Sequence, residues 1–159
     1  ERIGFIGGIA RISTGTERRQ GYERALRDHA LPVDSALIRE GDSRREEGRH
    51  LTNTLLDLDT PPTALFTGNN LTTLGALSAI RLCGLRIPED IALVGYDDIP
   101  WAMALNPPPT VMDQPGYEMG QQAACLLLER LANPDREPTT TTLQPKLVVR
   151  QSCGAVSST

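Results

Sequence analysis

Ala64-Leu65-Phe66-Thr67-Gly68-Asn69-Asn70 is a short apolar run that ends in a glycine and two asparagines. Pro61-Pro62 bounds it on the other side. An apolar run closed off by proline and glycine predicts a buried strand. Asn69 or Asn70 then caps a helix that carries Leu74, Leu77 and Ile80 at helical spacing, and Gly84 stops it. Pro88-Glu89-Asp90 makes a turn, and Ile91 to Gly95 is the next strand, leaving through Tyr96-Asp97-Asp98. Strand, helix and strand follow one another within about thirty residues, the size of a parallel crossover unit.

The same unit recurs towards the amino terminus. Arg2 to Gly7 is a strand, and Thr14-x-x-Glu17 reads as a capping box opening a helix to about Ala30, closed by Pro32. Ser35 to Arg39 is a second strand with its exit at Gly41-Asp42. Ser43-x-x-Glu46 is another capping-box pattern, with Leu51, Leu55 and Leu58 behind it. Repeated strand-helix units imply an α/β fold: a doubly wound parallel sheet between two helical layers, of the flavodoxin-like kind. Beyond Asp98, Pro107-Pro108-Pro109 forces an extended crossing and Pro115 opens a helix to about Ala132. Asn133 to Thr142 is a polar linker, Leu143 to Arg150 a last strand kept at an edge by Pro145, and Gln151 to Thr159 a frayed tail.

Composition narrows the function. The chain has 159 residues, 39% hydrophobic and 23% charged, which fits a folded domain rather than a disordered segment. Its net charge of −4 leaves no basic footprint, and 4% aromatics make no base-stacking platform, so these residues are not expected to bind DNA or RNA themselves. Cys83, Cys125 and Cys153 are far apart and far from His29 and His50, so neither a metal site nor a disulfide framework is expected. No apolar run reaches the length of a membrane span, and a cytoplasmic setting is expected. The chain opens inside a strand-like run rather than at Met, so an amino-terminal part of a longer protein is expected to precede it.

Parallel sheets bind ligands beyond the carboxyl ends of their strands. The loops there hold Gly7 to Thr16, Gly41 to Arg44, Thr67 to Asn70 and Tyr96 to Asp98. Thr14 and Arg18 leave one side of a helix; Asn69 and Asp97 end two strands. A hydroxyl, a guanidinium, a carboxamide and a carboxylate at one edge can bracket vicinal hydroxyls of a small polar ligand. Dinucleotide, P-loop and nucleophile-elbow signatures are absent, neither histidine sits at a strand's carboxyl end, and no enzyme or cofactor is expected.

Several blocks are familiar together: Ile3-Gly4-Phe5-Ile6-Gly7-Gly8, Gly21-Tyr22, Gly41-Asp42, Leu74-Gly75-Ala76-Leu77, Gly84-Leu85-Arg86-Ile87-Pro88-Glu89-Asp90, Val94-Gly95-Tyr96-Asp97-Asp98 and Leu147-Val148-Val149-Arg150. Taken in order, they resemble the carboxy-terminal lobe of the effector-binding core in LacI/GalR-family transcriptional regulators. The resemblance implies a periplasmic-binding-protein-like lobe over 1–113 and 139–151, with 114–138 crossing into a first lobe and 152–159 trailing. It implies a small-molecule effector, such as a sugar, held by Thr14, Arg18, Asn69, Asp97 and Gln114; Gln114 comes from the resemblance alone. It also implies a homodimer through Leu74, Ser78, Trp101 and Leu105, with operator DNA bound by a helix-turn-helix outside this chain. Ser43 stands where many members carry an aromatic residue, Asn70 where Asp is commoner, and Asp113 where a basic residue is frequent. A solute-binding protein of a sugar transporter would share the fold and the pocket.

Overall fold

The computed structural model describes residues 1–155. The part of the expected tail over 156–159 lies outside the described residues. Strands β1 (Ile3–Gly7), β2 (Ile38–Glu40), β3 (Ala64–Thr67), β4 (Ala92–Tyr96), β5 (Thr110–Asp113) and β6 (Lys146–Val148) form one sheet in the order β2-β1-β3-β4-β5-β6. All pairs are parallel except β5 with β6, which is antiparallel. The helices are α1 (Ser13–Asp28), α2 (Arg45–Leu56), α3 (Asn70–Leu82) and α4 (Gly116–Ala132).

Alternation along β1 separates the two faces. Phe5 packs with Tyr22 and Leu26 of α1, whereas the next residue, Ile6, packs with Leu51, Leu55, Leu77 and Ile80 of α2 and α3. The sheet is therefore doubly wound, as expected. Phe5 stacks on Tyr22 at 5.1 Å between ring centres, and the Tyr22 hydroxyl donates to the Ile3 carbonyl at 2.7 Å. Burial pushes the Tyr22 phenol up to about 12.

Several local expectations need correction. Neither capping box forms: α1 starts at Ser13 behind an extended Ile12 with no side-chain cap, and α2 starts behind Arg44. Ser43 instead sits in the left-handed region, φ 68°, while Asp42 accepts the Arg44 N–H at 2.8 Å in a tight turn. Ser35–Leu37 is a 3-10 turn, so the second strand is only Ile38–Glu40. Thr110–Asp113 is a strand where only an extended crossing was expected. The last strand shrinks to Lys146–Val148.

The expected frayed tail is ordered further than Gln151. Gln151–Cys153 form a 3-10 turn, and Ser152 is fully buried. Its hydroxyl accepts the Thr110 N–H at 2.8 Å and donates to the Leu93 carbonyl at 2.5 Å, stitching this turn to β5 and β4. By contrast, α4 contributes no buried side chain. Tyr117 is 88% exposed, and Leu127, Leu128 and Leu131 are also exposed.

Candidate functional site

The strand order reverses between β1 and β3, and the loops leaving those strands flank that point, where ligands of doubly wound sheets bind. Arg18, one turn into α1, crosses it: its Nη1 donates to the Gly68 carbonyl at 2.5 Å. The guanidinium lies 3.8 Å from the centre of the Tyr96 ring, a cation–π contact. No carboxylate pairs with Arg18 among the described residues, so donors of its fork remain for a ligand. Thr14, Arg18, Tyr96 and Gln114 lie at the carboxyl end of an open, mainly apolar cleft of about 1120 Å³ that runs along the sheet to Ile3, Ala64 and Ala92 at the strands' amino ends. Its floor is the sheet face of Phe66, Val94 and Met112.

Asp97 joins this set through Gln114, whose Nε2 donates to its Oδ1. Asp97 is left-handed, φ 69°, and its N–H donates to the Met112 carbonyl at 2.9 Å. β4 and β5 thus hold the carboxylate beside the carboxamide. The adjacent Asp98 is held below the ordinary carboxylate range, chiefly by hydrogen bonds from Arg150. Its contribution to stability is therefore complete above that range and is lost as the pH falls through its lowered value.

Asn69 is also a structural residue. Its Oδ1 accepts both the Thr72 N–H and the Thr72 hydroxyl at 2.7 Å, and its Nδ2 donates to the Ser43 carbonyl at 3.0 Å. It is the one of the two candidate asparagines that caps α3, and it fastens the exits of β2 and β3 together. The structure therefore brings Thr14, Arg18, Asp97 and Gln114 to one rim, with Asn69 buttressing the loops behind. Sequence reasoning missed Tyr96 as a site residue. The signal was available: period-two alternation from Val94 places Tyr96 on the cleft face. It also missed the fork of Arg150 on Asp98.

The family model of the periplasmic binding protein-like domain matches residues 1–153. The chain belongs to this periplasmic binding protein-like family. Its relatives are LacI-family regulators. The chain is 35% identical over 159 residues to the repressor PurR of Haemophilus influenzae strain PittEE, covering 98% of this chain and 47% of that protein. It is 36% identical to the repressor CytR of Escherichia coli K12, covering 98% and 46%. The solved complex of the regulator CelR with cellobiose superposes with a TM-score of 0.90 at 38% identity, over 95% of this chain and 46% of that one. The chain thus spans about half the length of the curated relatives it matches.

In this periplasmic binding protein-like domain a second cleft lies away from the first. Leu74, Ser78, Trp101 and Leu105 line it together, with Arg45, Arg81 and Leu82. Trp101 is 58% exposed and Leu82 73%. The four residues expected at a dimer interface therefore share one surface. Among the described residues no acidic, histidine or cysteine cluster is suited to a metal ion, and no helix is long and apolar enough to cross a membrane.

Proposed function

We propose that this chain is the carboxy-terminal lobe of the effector-binding core of a LacI/GalR-type transcriptional regulator. The observation that carries the reading is the rim itself: Thr14, Arg18, Tyr96 and Gln114 share the carboxyl end of one open cleft, Arg18 stacks on Tyr96, and Gln114 holds Asp97 beside them. Arg18 and Gln114 donate, Asp97 accepts, and Thr14 does both, a set that fits a sugar or another small polyhydroxylated effector. The cellobiose held by CelR supports a saccharide.

Residues 114–138, including α4 with its exposed Tyr117, Leu127, Leu128 and Leu131, belong to a first lobe that closes the other side of the cleft. An effector held between two lobes favours one relative orientation, and only that difference in affinity shifts the equilibrium. The shift changes how a dimer presents helix-turn-helix heads to operator DNA in the cytoplasm. No catalytic step is involved and no cofactor is needed.

The test uses the full-length regulator. Operator binding is measured while monosaccharides, disaccharides including cellobiose, nucleosides and purine bases are titrated. One polyhydroxylated class is expected to change operator affinity at least about tenfold, a coupling of roughly 1.4 kcal/mol. A protein that binds no DNA and is exported behind a secretory leader would be the transporter component instead, and the regulator reading would fall.

Dimerisation gives a separate expectation. Tryptophans at the centre of interfaces commonly contribute about 2 kcal/mol or more. Trp101→Ala should therefore weaken self-association of the full-length protein roughly 30-fold in sedimentation equilibrium. An unchanged dissociation constant would remove Trp101 and its cleft from the interface.

A further inference from the structure

Arg150 and Asp98 form the most buried ion pair among the described residues, with side chains 15% and 24% exposed. Arg150 Nη1 donates to Asp98 Oδ1 at 2.9 Å, and Nη2 donates to Oδ2 at 2.6 Å. Nη1 also reaches the Pro109 carbonyl at 3.0 Å, and the Ile99 N–H donates to Asp98 Oδ1 at 2.9 Å. The backbone of Arg150 is fixed in turn: its N–H donates to Thr110 Oγ1 at 2.8 Å. A planar fork satisfying both carboxylate oxygens fixes the plane of the acid as well as its charge.

That fork stands one residue from Asp97. A non-glycine residue with φ near +69° persists only where its surroundings over-determine it. On the amino-terminal side of the turn, the Asp97 N–H is held by Met112 of β5. On the carboxy-terminal side, Asp98 is held by Arg150, which lies just beyond β6. The chain segment that returns from α4 thus grips the turn that carries the acceptor carboxylate.

We propose that Arg150 is a positioning residue for effector recognition: its fork on Asp98 keeps Asp97 in the left-handed turn that sets its carboxylate beside Gln114 at the cleft. The proposal rests on the reading of Asp97 as an effector ligand. Arg150 touches no effector itself. It also gives the returning segment a single-side-chain link to the site, so displacement of that segment acts directly on the acceptor.

Hydrogen exchange of the full-length regulator decides the positioning without any ligand. Exchange over residues 97–99 is compared with exchange over β1. Arg150→Met is expected to speed exchange at 97–99 about tenfold or more while β1 stays unchanged, and Arg150→Lys should fall between. Unchanged exchange at 97–99, or an equal rise in β1, overturns the proposal, because the fork is then dispensable or merely structural.

Calorimetry with cellobiose as the probe supplies the second arm. Arg150→Met should weaken binding about tenfold in the wild-type background and cause no further loss in an Asp97→Asn background. Additive losses would mean that Arg150 acts through something other than Asp97, and the proposal would be wrong. If Asp97→Asn alone leaves cellobiose affinity unchanged, the effector reading of Asp97 fails while the exchange result still stands. Where the wild type does not bind cellobiose, the exchange comparison alone decides the claim.

Discussion

Asp97→Asn is expected to weaken effector binding by at least about 100-fold while the free protein stays folded. Hydrogen bonds to a charged group contribute about 1.5–3 kcal/mol each, and a carboxylate that takes two vicinal hydroxyls makes two of them. Losing the charge and one acceptor therefore removes roughly 3–4 kcal/mol, or two to three powers of ten in affinity. Asn is a cleaner replacement than Ala for a reason that lies in the backbone. Residue 97 has φ 69°, where Ala pays about 1–2 kcal/mol and Asn is tolerated. Asn also keeps an oxygen for the Gln114 Nε2. The measurement is titration calorimetry on the full-length regulator with the ligand that alters its operator binding. An affinity within threefold of wild type would take Asp97 out of the site.

How much of this was legible in the sequence depended on how strongly local chemistry dictates local shape. The strand Ala64–Thr67 is legible because proline precedes it and Gly68-Asn69 follows. Of the two expected caps, Asn69 or Asn70, the structure uses Asn69: its oxygen serves Thr72 and one amide hydrogen serves the Ser43 carbonyl, which leaves one N–H for a ligand. The cap at Thr14 was wrong because the entry to α1 is organised by the backbone. The Gly15 and Thr16 N–H groups donate to the Ile12 carbonyl, and the Thr16 hydroxyl reaches the Ala10 carbonyl at 2.8 Å. Thr14 is thereby left at the cleft rather than consumed by the helix.

β5 was invisible for a different reason. Thr110–Asp113 is only four residues, follows three prolines, and is stabilised by partners far along the chain. Its neighbour β6 comes from the far side of α4, and Ser152 closes the arrangement from 42 residues away. No window of local sequence contains such pairings. The same holds for the fork of Arg150 on Asp98, which are 52 residues apart. Gln114 follows this hidden strand, which is why residue chemistry alone did not single it out. The polar residues on helix and strand ends were readable; the strand that completes their cleft was not.

Gly75→Ala is expected to be the most destabilising single-methyl change in the α2–α3 layer. A Cβ at Gly75 would lie 2.6 Å from the Arg49 nitrogen and 2.9 Å from the Gly48 carbonyl carbon, with the Arg45 oxygen closer still. These are backbone atoms of α2, and no rotamer can move them aside. Gly48 makes the reciprocal approach, 2.8 Å from the Thr72 Cα for an added Cβ, so the two helices touch backbone to backbone. Forcing them apart opens the cluster of Leu51, Leu55, Ala76, Leu77 and Ile80 between them. It also strains the Asn69 to Ser43 bond, which spans the same two elements at the site. Overpacking of this kind costs about 3 kcal/mol, the upper end of its usual range. For a domain of this size that is a fall of roughly 6–12 °C in Tm. Gly21→Ala is the internal comparison. It sits inside α1 with nothing within 4 Å of the added Cβ, so the helix gains about 0.5–1 kcal/mol from the stiffer residue. The same methyl should thus raise the urea midpoint at 21 and lower it steeply at 75. If Gly75→Ala unfolded at the wild-type midpoint, α2 and α3 would not be in backbone contact, and the packing that holds the rim of the cleft would have to be redrawn.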